Sequence, residues 1–292
     1  MRRITFIIEE KDNKRQIRDF LRSFGISASL LTRLKQTENG IMLNGRQEKT
    51  IAALNTGDKL EISIESKGEM PEPSGEKIEI LYEDEDILAV NKPPFMPVHE
   101  SRNHRGDALS NAVAGYIREQ TAFRAVYRLD RDTSGIVVVA KNELAAAKLA
   151  GKIKKDYYAI VCGKFEKASS IDAPIARLGK SIIKRGVNEN GERAVTHYEP
   201  ICSGNRYSLL KINLETGRTH QIRVHFSSIG ASLLGDTLYG EASEEISRQA
   251  LHCKTVYFTH PVTEKEITVS CDFPEDMKKI IEKEFQSDFG GL

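Results

Sequence analysis

The sequence predicts an α+β protein built from two units and a linker, and three observations carry that reading. Residues 17–34 place Ile17, Phe20, Leu21, Phe24, Leu30, Leu31 and Leu34 at roughly helical spacing, with strand-like patterns after them. From residue 78 onward, short apolar runs rich in β-branched residues are interspersed with short helical patterns. Between the two, Gly68, Pro71, Pro73, Ser74 and Gly75 interrupt a stretch without apolar periodicity, which is the composition of a linker. The expected division is a small α/β module at residues 1–66, a linker at 67–77 and a larger domain at 78–292.

In the small module Gly25 breaks the helical pattern, so two short helices are expected around a turn at Ser23-Phe24-Gly25-Ile26-Ser27. Ile41-Met42-Leu43 reads as a strand and Asn44-Gly45 as a hairpin turn. Gly57-Asp58 is a further turn, after which Lys59 to Ile64 alternates as a half-buried strand does. The apolar run after Arg3 is cut off by Glu9 and Glu10 and is too short for a secretion signal.

The larger domain opens with strands at Ile78 to Tyr82 and Ile87 to Val90. Pro93 and Pro94, which lack an N–H for a sheet ladder, stop the second of these after Asn91-Lys92. Asp107 to Tyr116 reads as a short helix. Thr133-Ser134-Gly135 reads as a turn ahead of a buried strand, Ile136 to Ala140. Asn142 is suited to cap an alanine-rich helix over Glu143 to Lys155. Lys155 to Gly163 then reads as a strand with Tyr157, Ala159 and Val161 on one face and Tyr158 and Ile160 on the other. Strands joined by a basic hairpin loop are expected over residues 171–198, and another strand at Tyr207 to Leu214. Thr219 is placed to cap a helix through Ile229, with Gly230 as its stop. A short amphipathic helix from Glu275 and a Gly-Gly tail close the chain.

Composition narrows the function classes. An apolar content of 39% and a charged content of 29% suit a soluble globular protein, and there is no run of about 18 apolar residues to span a membrane. Cys162, Cys202, Cys253 and Cys271 are scattered without a Cys-x-x-Cys pair, which speaks against a zinc site or disulfide framework and for a reducing cytoplasm. The net charge is only +1, but acids crowd Glu69 to Asp86 while bases crowd Arg124 to Arg131, Lys148 to Lys155 and Arg177 to Arg185. That distribution fits a basic face for nucleic acid, or a solvated mixture of charges.

The chemistry-bearing stretch is Tyr127-Arg128-Leu129-Asp130-Arg131-Asp132-Thr133-Ser134-Gly135. Asp130 would sit in a loop feeding a buried strand, between two arginines able to keep a carboxylate ionised. A structural Arg–Asp pair at a strand end is the other reading. Together with the apolar run after it, the stretch resembles the signature of the RluA family of pseudouridine synthases, which usually has His where this chain has Tyr127. Lys155-Asp156-Tyr157-Tyr158-Ala159-Ile160-Val161 resembles the family's second motif. Thr216-Gly217-Arg218-Thr219-His220-Gln221-Ile222-Arg223-Val224-His225 resembles its third, and Gly235-Asp236, Tyr239-Gly240 and later segments resemble its closing scaffold.

The resemblance covers residues 78 to about 272. It implies a catalytic domain on a mixed, largely antiparallel sheet flanked by helices and loops. It also implies Asp130 as the catalytic carboxylate, Tyr157 stacking on the target uracil, Arg223 pairing with Asp130, and Arg128 filling the space of an extruded base. Lys92 reads as a phosphate contact or a surface lysine, and Arg218 and His220 are further candidate RNA contacts. His220 and Arg223, three apart, share a face of the expected helix. His220 and His225, five apart, do not, which argues against a two-histidine metal site. Because the base never leaves, the reaction implies no metal or cofactor.

The order helix pair, hairpin, strand in residues 1–66 resembles the S4 RNA-binding module. With 12 Lys+Arg against 9 Asp+Glu there, Arg18, Arg33 and Lys35 are candidate phosphate contacts. The expected partner is ribosomal RNA or tRNA, with no membrane, no obligatory protein partner and a monomeric, cytoplasmic enzyme. Two rivals remain from sequence. A glycosidase or nuclease would need a second well-spaced carboxylate, and Asp132 is too close in sequence. An RNA-binding protein without chemistry would use the small module and a basic platform.

Overall fold

The computed structural model describes residues 1–65, 68, 70–102, 104–117, 122–179, 181 and 183–285. Part of the expected linker, part of the basic hairpin loop and the Gly-Gly tail lie outside the described residues.

The first unit comprises β1 (Arg2–Ile7), α1 (Ile17–Ser23), α2 (Ala28–Gln36), β2 (Ile41–Leu43), β3 (Arg46–Gln47) and β4 (Lys59–Ile64), with the sheet order β1-β4-β2-β3. The helix pair, the hairpin and the last strand match the sequence reading. Ser27 caps α2 by accepting a hydrogen bond from the Leu30 amide at 3.1 Å. Asn44 and Gly45 both take positive φ, as a two-residue hairpin turn requires. The sequence did not announce β1. It is a strand because it pairs along its whole length with β4, from Arg2 against Ile64 to Ile7 against Lys59, and so distant a partner leaves no local signal.

The second unit continues with β5 (Glu79–Glu83), β6 (Ile87–Lys92), α3 (Leu109–Ile117), β7 (Ser134–Ala140), α4 (Glu143–Leu149), β8 (Lys154–Cys162), β9 (Ser169–Asp172), β10 (Ile175–Arg177), β11 (Arg185–Val187), β12 (Val195–Ser203), β13 (Tyr207–Leu214), α5 (Gln221–Ser228), β14 (Leu251–Thr259), β15 (Glu266–Ser270) and α6 (Glu275–Phe285). The large sheet runs β5-β6-β7-β14-β8-β13-β12-β9, with β15 on β14. Its described pairings are antiparallel except β7 with β14, so the mixed, largely antiparallel sheet is observed. The alternation expected of β8 is also observed. Tyr157, Ala159 and Val161 join the main core with Ile222 and Phe226 of α5, whereas Tyr158 and Ile160 pack with Met277, Ile280, Ile281 and Phe285 of α6.

Three local readings are corrected. Ser134 and Gly135 belong to β7; the turn lies earlier, where the Thr133 amide donates to the Asp130 carbonyl at 3.1 Å. Asn142 does cap α4, accepting from the Ala145 amide at 2.9 Å, but the helix stops at Leu149 rather than Lys155, with Gly151 at positive φ just beyond. Thr219 caps nothing: α5 begins at Gln221, and His220 is its N-terminal flank in a left-handed conformation, φ +58°.

The two units touch through ion pairs and apolar packing. Arg2 makes a two-pronged pair with Asp86 at 2.9 and 2.8 Å, and Asn142 donates to the same carboxylate at 2.7 Å. Arg33 of α2 pairs with Glu143 of α4. Leu144 is buried in the core of the small unit, and the Lys148 ammonium lies 3.6 Å from the Phe24 ring centroid. Among the described residues no helix is long and apolar enough to cross a membrane.

Candidate active site

The site forms where the large sheet divides. Along one edge β7 pairs with β14 only at Ser134 and Gly135; farther along, Ala125 bridges Val139 on that same edge. The chain leaves the bridge at Val126, runs through Tyr127 to Thr133 and re-enters the sheet at Ser134. Gly135 makes the parallel contact possible: at φ +115° a Cβ there would lie 2.3 Å from the Cys253 carbonyl oxygen. Tyr127 completes the gap, its hydroxyl donating to the Ile136 carbonyl at 2.8 Å.

Three buried side chains hold the loop that carries Asp130. Lys92 donates to the Arg131 carbonyl at 2.9 Å, Arg248 to the Asp132 carbonyl at 3.1 Å and Gln249 to the Thr133 hydroxyl at 3.2 Å. Lys92 is thus neither a phosphate contact nor a surface lysine. It is fully buried, and its remaining protons go to the carbonyls of Pro93 and Met96, both at 2.8 Å. Burial, then the field of Arg248, drive its pKa down to about 7, against the pull of Asp132 and Asp130. Three carbonyl partners call for the three protons of an ammonium.

Asp130 faces a cavity of about 790 Å³ whose wall includes Pro97, Val98, His99, Tyr157, Arg218 and His220. One Asp130 oxygen takes a hydrogen bond from Arg223 Nη1 at 3.1 Å; the other lies 3.9 Å from His220 Nε2. The flanking arginines do not clasp it, because Arg131 turns to Asp132 at 2.6 Å and Arg128 is exposed at the cavity wall. The three residues expected to converge therefore meet around one cavity.

Arg223 is held by a residue the sequence reading placed in the scaffold. Asp236, with no exposed surface, accepts from Arg223 Nε at 2.7 Å and Nη2 at 2.8 Å. The Asp236 carboxylate is itself aimed by the amides of Leu238 and Tyr239 at 3.1 and 3.2 Å. A planar guanidinium gripped on two nitrogens leaves Nη1 in one direction only, toward Asp130. Burial opposes the charge of Arg223, but the bonds to Asp236 and the fields of both aspartates outweigh it and raise its pKa. Tyr157 is 6% exposed, and burial pushes its phenol well above the ordinary tyrosine value, so it stays protonated and offers the cavity a ring and a donor.

The third motif divides by role. Gln221 staples α5 to β12, its Nε2 donating to the Val195 carbonyl at 2.9 Å and its Oε1 accepting from the Arg218 amide at 3.0 Å. His225 is buried between Thr196 and the Ala173 carbonyl, away from any shared site with His220. His220 Nδ1 meets the Tyr239 hydroxyl at 2.8 Å, and burial lowers its pKa, which favours neutral imidazole. Arg218 lines the cavity while pairing with Glu192. Arg18, Arg33 and Lys35 lie in the small unit, on α1 and α2; Arg33 is engaged by Glu143, and Lys35 is exposed. Asp84, Asp86 and His260 could group around a cation, but Arg2, Asn142, Tyr82 and one another already occupy them.

Comparison with known proteins follows the same lines. A family model described as RNA pseudouridylate synthase matches residues 86–228. The chain is 38% identical over 92% of its length to the Bacillus subtilis protein named uncharacterized RNA pseudouridine synthase YjbO, of which it covers 99%. It is 39% identical over 71% of its length to ribosomal large subunit pseudouridine synthase D of Zymomonas mobilis, covering 73% of that protein. Among solved structures, human RNA pseudouridylate synthase domain containing 1 aligns with a TM-score of 0.57 and 27% identity, over 70% of this chain and 86% of that one.

Proposed function

Since the chain belongs to the RNA pseudouridylate synthase family, enzymes that isomerise uridine in RNA to pseudouridine, we propose that Asp130 is the carboxylate that drives the reaction. The isomerisation breaks the bond from uracil N1 to the ribose C1′ and forms one from C5 to C1′. C5 gives up a proton and N1 takes one up, so atoms and electrons balance without an oxidant or reductant. In this reading Tyr157 stacks on the detached uracil while it turns, Arg223 fixes the carboxylate, and Arg128 takes the space the extruded base leaves. Flipping costs a few kcal/mol, less in a loop. The observation that supports this best is Arg223 Nη1 at 3.1 Å from Asp130 Oδ2, beside a cavity lined by Tyr157 that can take a nucleobase.

We assign the substrate to large-subunit ribosomal RNA, the class named for the Zymomonas relative, with tRNA as the alternative. Residues 1–66 are read as an S4-like RNA-binding module, Arg18 and Lys35 supplying phosphate contacts of little sequence preference. The test is to incubate unmodified transcripts of large-subunit ribosomal RNA and of tRNA with the enzyme and map pseudouridine by a selective label. Modification at a few discrete uridines of the ribosomal transcript is expected. Free uracil among the products would instead mark a glycosidase, and binding without modification would leave only an RNA-binding protein.

A further inference from the structure

Among the described residues six non-glycine positions take positive φ, and all but one are polar side chains. The exception is Phe95, at φ +63° with 52% of its surface exposed. A bulky residue in the left-handed region is a genuine outlier, and glycine would adopt that conformation without strain. The fold gains little in return, since half the ring lies in water.

The surroundings of Phe95 are rigid. Pro93 and Pro94 precede it and Pro97 follows. The buried Lys92 ammonium binds the carbonyls of Pro93 and Met96, on either side of it, and the Arg131 carbonyl of the loop that carries Asp130. Two residues after Phe95 the chain becomes cavity wall at Pro97, Val98 and His99, in a lining that also includes the exposed Arg128. A strained, half-exposed aromatic therefore stands two residues ahead of the cavity wall, in a segment that the Lys92 side chain ties to the loop carrying Asp130. Strain held in place by its surroundings is the mark of a position kept for contact with something outside the fold.

We propose that Phe95 is a stacking platform for an unpaired RNA base next to the target uridine; this rests on the reading of the site given above. Every base offers a π-face to an aromatic ring, so such a platform strengthens binding without choosing sequence. It suits a substrate whose target base is extruded and whose neighbours lose their stacking partner.

The chain contains no tryptophan, so Phe95→Trp creates a single tryptophan at the position in question, excited selectively at the red edge beyond the nine tyrosines. Titrating the full-length variant with unmodified large-subunit ribosomal RNA transcript is expected to quench its emission. Phe95→Ala is expected to weaken the Kd for that RNA about tenfold, the effect of losing one base–aromatic stack. Phe95→Gly should weaken it equally while raising Tm, which separates lost contact from damaged folding. Emission unchanged at saturating RNA, or a Phe95→Ala Kd within twofold of wild type, would overturn the proposal. So would emission that responds to protein concentration without RNA, because a second copy would then cover the ring. Pseudouridine yield from wild type on the same transcript keeps the two readings apart. If wild type modifies the RNA and Phe95→Ala is indistinguishable from it, only the platform fails; if wild type yields none, the assignment of the site fails.

Discussion

Arg223 turns two of its nitrogens to Asp236 and one to Asp130. The buried aspartate thereby sets the angle at which the guanidinium meets the cavity and Asp130, and one cation is shared between two carboxylates. Asp236→Asn keeps the volume but loses the charge and one acceptor. The expected result is a single-turnover rate at least about tenfold lower, the scale on which misplacing a positioned group acts, with the RNA Kd within about threefold of wild type. A rate equal to wild type would show that Asp236 merely fills space. Arg223 was legible in the sequence because its motif is specific. Asp236 was not, because Gly-Asp before Tyr-Gly also describes an ordinary turn, and nothing local reveals a partner 13 residues earlier on α5. Lys92 misled for the opposite reason: a lysine beside two prolines looks like surface, and only the packed structure reveals the carbonyls that allow it to be buried.

At the scale of elements, the loop that carries Asp130 owes its position to a seam between two strands rather than to its own sequence. β7 and β14 run parallel for two residue pairs, His252 with Ser134 and Cys253 with Gly135, and the loop emerges where they part. Gly135 alone lets the backbones approach that closely. Gly135→Ala is expected to lower stability by about 2–3 kcal/mol, from overpacking against Cys253 and from a strained φ, and to lower activity beyond what the loss of folded protein explains. Urea unfolding read beside the single-turnover rate of the folded fraction checks this; an unchanged midpoint would place the seam elsewhere. The apolar run of β7 and the period-two faces of β8 could be read from sequence because burial dictates their residues. The ends of α4 and α5 could not. Their stops depend on where the next strand must begin and on His220 accepting a left-handed conformation to face Asp130 and Tyr239.

For the whole molecule, composition suggested a boundary between two units but gave no hint that they dock. Arg2 with Asp86, 84 residues apart, Arg33 with Glu143, 110 apart, and Leu144 in the smaller core are long-range contacts, each ordinary in its own neighbourhood. Docking also takes Arg33 out of the set of arginines open to phosphate. The same long-range closure makes the candidate site, bringing positions 130, 157 and 223 around one cavity from a loop, a strand and a helix, with Asp236 buried behind Arg223. The most direct test of that convergence is the single-turnover rate of pseudouridine formation by Asp130→Asn, measured beside its affinity for the same ribosomal transcript. The account predicts RNA binding within about threefold of wild type, since phosphate contacts dominate affinity, and no detectable pseudouridine. Pseudouridine formed by the variant at a rate near that of wild type would contradict it.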